Sequence, residues 1–370
     1  MKKLFTFLLS VVLAQTSFAG IWLVDNNANH PTPYTSVQDV IDNHAINGDT
    51  IMVAGSPNDY GEITITKPLT LIGEGYNDQL GENTKAFRIY IRSSNVVVTG
   101  FKVILRTELN TAGASGNELL NVLLERCYSN ILFTGGTSAP HLMRNIRIRN
   151  IISEAGIRIS YGPGADKVIL FDSLILENNI FFSPCFDNWG NNITGANTVI
   201  VRNNLLNGGN SDEGNVNTLF FYQYSSTNFH DAILYNNIFY NCNPTGSSNC
   251  TFMNNLTYGN GSGLNYTFTN GTNDTLPGPV NNNIYSQNPL LVNYVQGQPF
   301  SFNFDFHTAA GSPCIGAGVG GTEIGIYGGY YPFRVGEGPR IPIVDFINIS
   351  NTAVPSGSTF YLQFDARTRH

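Results

Sequence analysis

Charge is scarce in this chain. Asp, Glu, Lys and Arg make up only 12% of its 370 residues, and the formal balance is −7. So few cations argue against nucleic acid as a partner and against adhesion to an anionic membrane surface. Long apolar runs are missing too. Leu4 to Leu13 is too short for the roughly 20 residues a membrane-spanning helix needs, and no later stretch is longer. There are only five cysteines, at 127, 185, 242, 250 and 314, and no Cys/His spacing suggests zinc. An odd number leaves at least one of them unpaired in an exported protein.

Export is what the first 19 residues predict. Lys2-Lys3 supply a charged start, Leu4 to Leu13 an apolar stretch, and Ser17-Phe18-Ala19 a small-residue cleavage site before Gly20. No Cys stands at that site, so a lipid anchor is not expected. The mature chain is expected to be secreted, extracellular or periplasmic, with cell-surface association left open.

What is abundant is glycine, 38 residues, and asparagine in a recurring phrase. A few alternating apolar residues are followed by two polar ones, usually Asn-Asn, and then an apolar one. It occurs at Ile148-Arg149-Asn150-Ile151, Glu177-Asn178-Asn179-Ile180, Arg202-Asn203-Asn204-Leu205, Tyr235-Asn236-Asn237-Ile238, Met253-Asn254-Asn255-Leu256 and Asn281-Asn282-Asn283-Ile284. Counting on Asn150, Asn179, Asn204, Asn237, Asn255 and Asn283, the steps are 29, 25, 33, 18 and 28 residues. Self-similarity at this period marks a repeat architecture. Its units are strands, because runs such as Val199-Ile200-Val201 and Ile233-Leu234-Tyr235 carry no helical stripe. Gly100 and Arg126 continue the series toward the N-terminus, which puts Cys127 at the inward position of Ile151 and Ile180. Units this small cannot bury an apolar face alone, so they must stack. Equivalent residues then lie about 4.8 Å apart, close enough for recurring asparagines to form an amide ladder at a bend.

With these features the chain resembles the right-handed parallel β-helices of the pectin-lyase-like superfamily. The resemblance extends to both ends. Ser36 to Ile41, with apolar positions 37, 40, 41 and 45, reads as the short amphipathic helix that caps the first coil in that superfamily. Asp305-Phe306-His307 through Gly318 and Ile324 to Gly329 is similar to the closing motif of secreted bacterial β-helices, with Asp305 and His307 expected in a turn. The expected organisation is a signal peptide over 1–19, an all-β right-handed parallel β-helix over 20–331 and a Gly/Pro linker over 332–342. A C-terminal β-hairpin, or the start of a small β-unit, follows over 343–370. A monomer is expected.

Segments just after each ladder asparagine should project from one side. They hold Phe186, Asp187 and Trp189, then Asp212 and Glu213, then the Cys242–Cys250 loop, whose cysteines are a candidate disulfide. A second aromatic stretch holds Tyr222 and Tyr224 and leads to His230 and Asp231. Aromatic rings beside Asp, Asn and Gln suit carbohydrate, which presents an apolar ring face and a rim of hydroxyls; the plainer alternative is that these aromatics pack loops against the solenoid. Three functions follow: a non-catalytic solenoid binding polysaccharide along its side, a lyase or glycosidase acting on acidic or plant-type glycans, or a structural or adhesin-like solenoid. By resemblance a lyase would use an Arg or Lys base, for which Arg158, Lys167 and Arg202 are the candidates, with calcium as its cofactor. A hydrolase would pair Asp187 with Asp212 or Glu213. No metal site and no other cofactor is expected.

Overall fold

The computed structural model describes residues 19–28, 32–111, 114–135, 141–160, 169–182, 186–187, 199–208, 221–222, 229–230, 232–241, 247–248, 250–259, 281–294, 300–336, 342–349 and 362–368. Its strands are short and stack in parallel. They form an eleven-stranded sheet, a five-stranded sheet and a seven-stranded sheet. One coil shows the path. Leu174–Glu177 lies in the eleven-stranded sheet, Ile180–Phe182 in the five-stranded sheet and Phe186–Asp187 in the seven-stranded sheet; Val199–Arg202 then returns to the first. This is an all-β stack of the solenoid kind, and one continuous core of Val, Ile, Leu and Phe runs through its middle.

The asparagine phrase resolves into two columns with different work. The first asparagine of each pair takes a left-handed backbone: Asn178, Asn203, Asn236, Asn254 and Asn282 all have φ between 49 and 56°. Asparagine tolerates this conformation and lets the chain turn sharply from one sheet to the next. Asn150 (φ 53°) belongs to this column, as do Arg126 (48°) and Gly100 (80°). The expectation that Asn150 starts the ladder is therefore corrected by one residue. Ile151 stands where the later coils have their second asparagine, and its N–H donates to Asn179 Oδ1 at 2.9 Å.

The second asparagines are the ladder. Asn179, Asn204, Asn237 and Asn255 are fully buried. Each Nδ2 donates to the Oδ1 of the next, at 3.0, 2.9, 3.0 and 3.2 Å down to Asn283. The second hydrogen of Asn179, Asn204 and Asn237 goes to the carbonyls of Ile148, Leu176 and Val201. Each Oδ1 also accepts the backbone N–H of the preceding rung, so the buried amides are satisfied. Cys127 is in the column of Ile151, in the core, but not in that of Ile180, which pairs with Ile152. A second ladder was not anticipated: Asn145 donates to Asn121, and Asn121 to Asn95, each at 2.8 Å on the surface.

The five-stranded sheet explains why its strands read Ile-Phe-Phe, Leu-Leu-Asn and Ile-Phe-Tyr instead of alternating. Every one of these positions is buried, the pattern of a strand covered on both faces. Phe181, Leu206 and Phe239 enter the central core. Ile180, Phe182, Leu205, Ile238 and Tyr240 point the other way, under Tyr294, Phe300, Phe302, Phe304 and Phe306. The segment expected to close the last coil thus runs back along the stack. Asn254 donates to Ala317 O, Asn203 to Gly325 O, Asn178 to Ile326 O and Asn150 to Tyr331 O, in reverse coil order. Phe333, in the stretch read as linker, is buried beside Tyr76. Asp305 and His307 lie on an extended strand, Asp305–Thr308, paired antiparallel with Leu291–Asn293, and not in a turn.

At the N-terminal end, Ser36 Oγ accepts the N–H of Asp39 and starts a short helical turn, Val37–Asp39, which widens over Val40–His44. Val37, Val40, Ile41 and Ala45 are buried in the core. Lys67 Nζ closes the turn by donating to the carbonyls of Ile41 and Ala45, at 2.6 and 2.9 Å. At the other end Pro342–Ile349 and Leu362–Thr368 form an antiparallel pair, a sheet of their own.

Candidate functional site

The three sheets offer unequal surfaces. The outer face of the five-stranded sheet is occupied by the chain's own returning segment. The eleven-stranded sheet carries Glu125, Arg149, Glu177, Arg202 and Tyr235 in register along one column. There Arg149 Nε bonds Glu125 at 2.6 Å, and Arg202 bonds Glu177 at 2.9 Å and Tyr235 Oη at 2.9 Å. Glu177 is only 1% exposed. These opposed charges stabilise the stack coil by coil. Burial lowers the basicity of Arg202 and its bonds to Tyr235 and Glu177 raise it, with a net upward shift. Its cationic form is held by fixed partners.

The seven-stranded sheet is where sequence candidates converge. Its register runs Thr64, Tyr90, Glu108, Leu132, Arg158, Asp187, Tyr222 from coil to coil. Arg158 is exposed between the buried Ile157 and Ile159, as strand alternation requires. Asp187 and Tyr222 occupy the next two positions of that column. Arg158, Asp187 and Tyr222 are therefore successive rungs, about 4.8 Å apart along the sheet, whereas Arg202 stands on a different sheet. Phe186 is in register with the buried Ile157 and with Phe221, one column over. His230 belongs to a separate pair of short strands, opposite Ser248.

Lys167, Trp189, Asp212, Glu213, Tyr224, Asp231 and Cys242 lie outside the described residues. So does any bond between Cys242 and Cys250, of which Cys250 is buried. Among the described residues no group of three or more His, Cys, Asp or Glu side chains converges. Calcium takes six to eight oxygen ligands. The described residues do not supply such a set.

The candidate residues left out of the sequence reading are Arg88, Tyr90, Arg92, Arg106 and Glu108, at the N-terminal end of the same face. Arg88 Nη1 donates to Tyr90 Oη, and Arg106 Nε bonds Glu108 at 2.7 Å. The Tyr90 bond, before any other cause, raises the pKa of Arg88 above its ordinary value. The signal was available: in Arg88-Ile89-Tyr90-Ile91-Arg92 the polar residues alternate with isoleucines that are now seen fully buried.

No protein family model matches this chain, and no curated protein is recognisably similar to it in sequence. Among the described residues no helix is long and apolar enough to cross a membrane.

Proposed function

We propose that this is an exported solenoid that binds polysaccharide along the outer face of its seven-stranded sheet. The single observation that carries this reading is the shared column of Arg158, Asp187 and Tyr222, continuing through Glu108 to Tyr90. Aromatic and charged residues on successive rungs suit a ligand with apolar ring faces and hydroxyl edges. The finer architecture belongs to the same reading. The coils wind as a right-handed parallel β-helix of the pectin-lyase-like kind, the helical turn Val37–His44 caps the first coil, and the mature chain begins at Gly20 and acts as a secreted monomer.

Arg158 beside Asp187 favours a second reading, cleavage of an acidic or plant-type glycan. In a lyase Arg158 would take the proton next to the uronate carboxylate, and in a hydrolase Asp187 would be one of two carboxylates. A structural or adhesin-like solenoid is the third. One experiment separates them: the mature protein is screened against a broad polysaccharide panel, with and without Ca²⁺, for binding and for the ultraviolet absorbance of a new conjugated double bond. Binding without turnover, weakened at least about tenfold by Arg158→Ala (about 1.4 kcal/mol), supports the binding reading. Rising absorbance establishes a lyase, and silence in both channels leaves the structural solenoid.

A further inference from the structure

The parallel register between Thr84–Ile91 and Phe101–Asn110 is interrupted. Ala86 pairs with Val103, but Arg88 pairs with Arg106, so one residue on the first strand faces two on the second. Such bulges re-aim side chains, and here they leave apolar groups outside: Phe87 is 41% exposed and Ile104 53%. Immediately beyond, Arg88 and Arg92 hold their guanidinium groups 5.3 and 5.1 Å from the centre of the Tyr90 ring.

The charges around that ring do not cancel. Glu108 is matched by Arg106 at 2.7 Å. Arg88 has Glu62 at 3.7 Å and Glu108 at 4.0 Å. No described carboxylate lies within ion-pair distance of Arg92. The Nε atoms of Arg88 and Arg92 are both buried donors without an acceptor. Arg92 is half-exposed, so an anionic oxygen brought by a ligand can meet the outer part of its guanidinium group. In a chain of net charge −7 this is a local excess of cation.

We propose that Phe87, Arg88, Tyr90 and Arg92 form a subsite for a sugar ring carrying an anionic substituent, a carboxylate or a sulfate ester. The ring's apolar face lies on Phe87 and Ile104, and the anionic oxygens face Arg92 and Arg88. This rests on the polysaccharide-binding reading and assigns that face its charge preference.

The test uses the full mature chain and three polymers: a uronate homopolymer, a sulfated galactan and the same galactan without sulfate. Wild type is expected to bind one or both anionic polymers at least about tenfold more tightly than the neutral one, with affinity falling as salt rises. Arg92→Gln is expected to remove that margin. Phe87→Ala should weaken all binding, and unchanged circular dichroism of both variants controls for folding. Which anionic polymer binds distinguishes carboxylate from sulfate. Equal binding of neutral and anionic polymers, or an anionic preference untouched by Arg92→Gln, overturns the subsite and leaves the parent reading standing. No binding of any polymer overturns both.

Discussion

Asn178 donates its side-chain amide to the carbonyl oxygen of Ile326, 2.7 Å away and 148 residues further along the chain. The same nitrogen lies 2.7 Å from Gly328 O. The backbone of Asn178 meanwhile turns the coil with φ 53°. One residue type thus serves both purposes, turning from sheet to sheet and clasping the segment that covers the five-stranded sheet.

Asn178→Gly keeps the left-handed turn and loses the clasp, so it should cost about 1–3 kcal/mol. Asn178→Ala loses the clasp and adds about 1–2 kcal/mol of backbone strain. Urea unfolding measures both. Hydrogen exchange should show faster opening over 317–335 in the glycine variant, with the central coils unchanged. Equal stability of wild type and Asn178→Gly would remove the clasp from the account.

A middle rung of the buried ladder should matter more than its last. Asn204→Leu leaves the backbone N–H of Asn179 and one hydrogen of its side-chain amide unmatched, and takes one donor each from Asn237 Oδ1 and the carbonyl of Leu176, a loss of about 3 kcal/mol or more. Asn283 is 9% exposed, and water can replace part of what Asn283→Leu removes. Thermal melts that rank the two variants the other way would contradict the ladder's role.

Arg202 is predicted to act on stability alone. Glu177→Ala strands a half-buried guanidinium and should cost about 2 kcal/mol, less than a fully buried pair because Arg202 remains partly in water. Arg202→Gln should destabilise without altering polysaccharide binding or turnover, whereas Arg158→Ala should do the reverse. A binding defect in folded Arg202→Gln would return Arg202 to the site.

Burial pushes the thiols of Cys127 and Cys314 up to about 12. At pH 8 both should be almost wholly protonated and slow to react with an alkylating reagent. Mass spectrometry should find them labelled only after denaturation. Rapid labelling of Cys127 in the native protein would show that its coil opens.

The repeat was legible because its cause is local. Asparagine at a left-handed bend and apolar residues at every second position leave marks a few residues wide. Asn150 shows where this stops: with a single asparagine in its phrase, only the sign of φ and the bond from Ile151 to Asn179 decide which column it joins. The column of Arg158, Asp187 and Tyr222 was half legible. Each residue stood out, but nothing in the spacing of 158, 187 and 222 shows that loops of different length bring them into one register.

By itself, the sequence determined that this chain must stack short strands: its alternation, its recurring asparagines and its shortage of charge leave each coil no other way to bury its apolar side chains. The tertiary structure alone decided which face is covered. The Gly-rich segment beyond Cys314 has no periodicity, and its place depends on carbonyls that meet asparagine side chains some 60 to 180 positions away. Contacts of that range are set by the stacking of the coils, and they cover the five-stranded sheet.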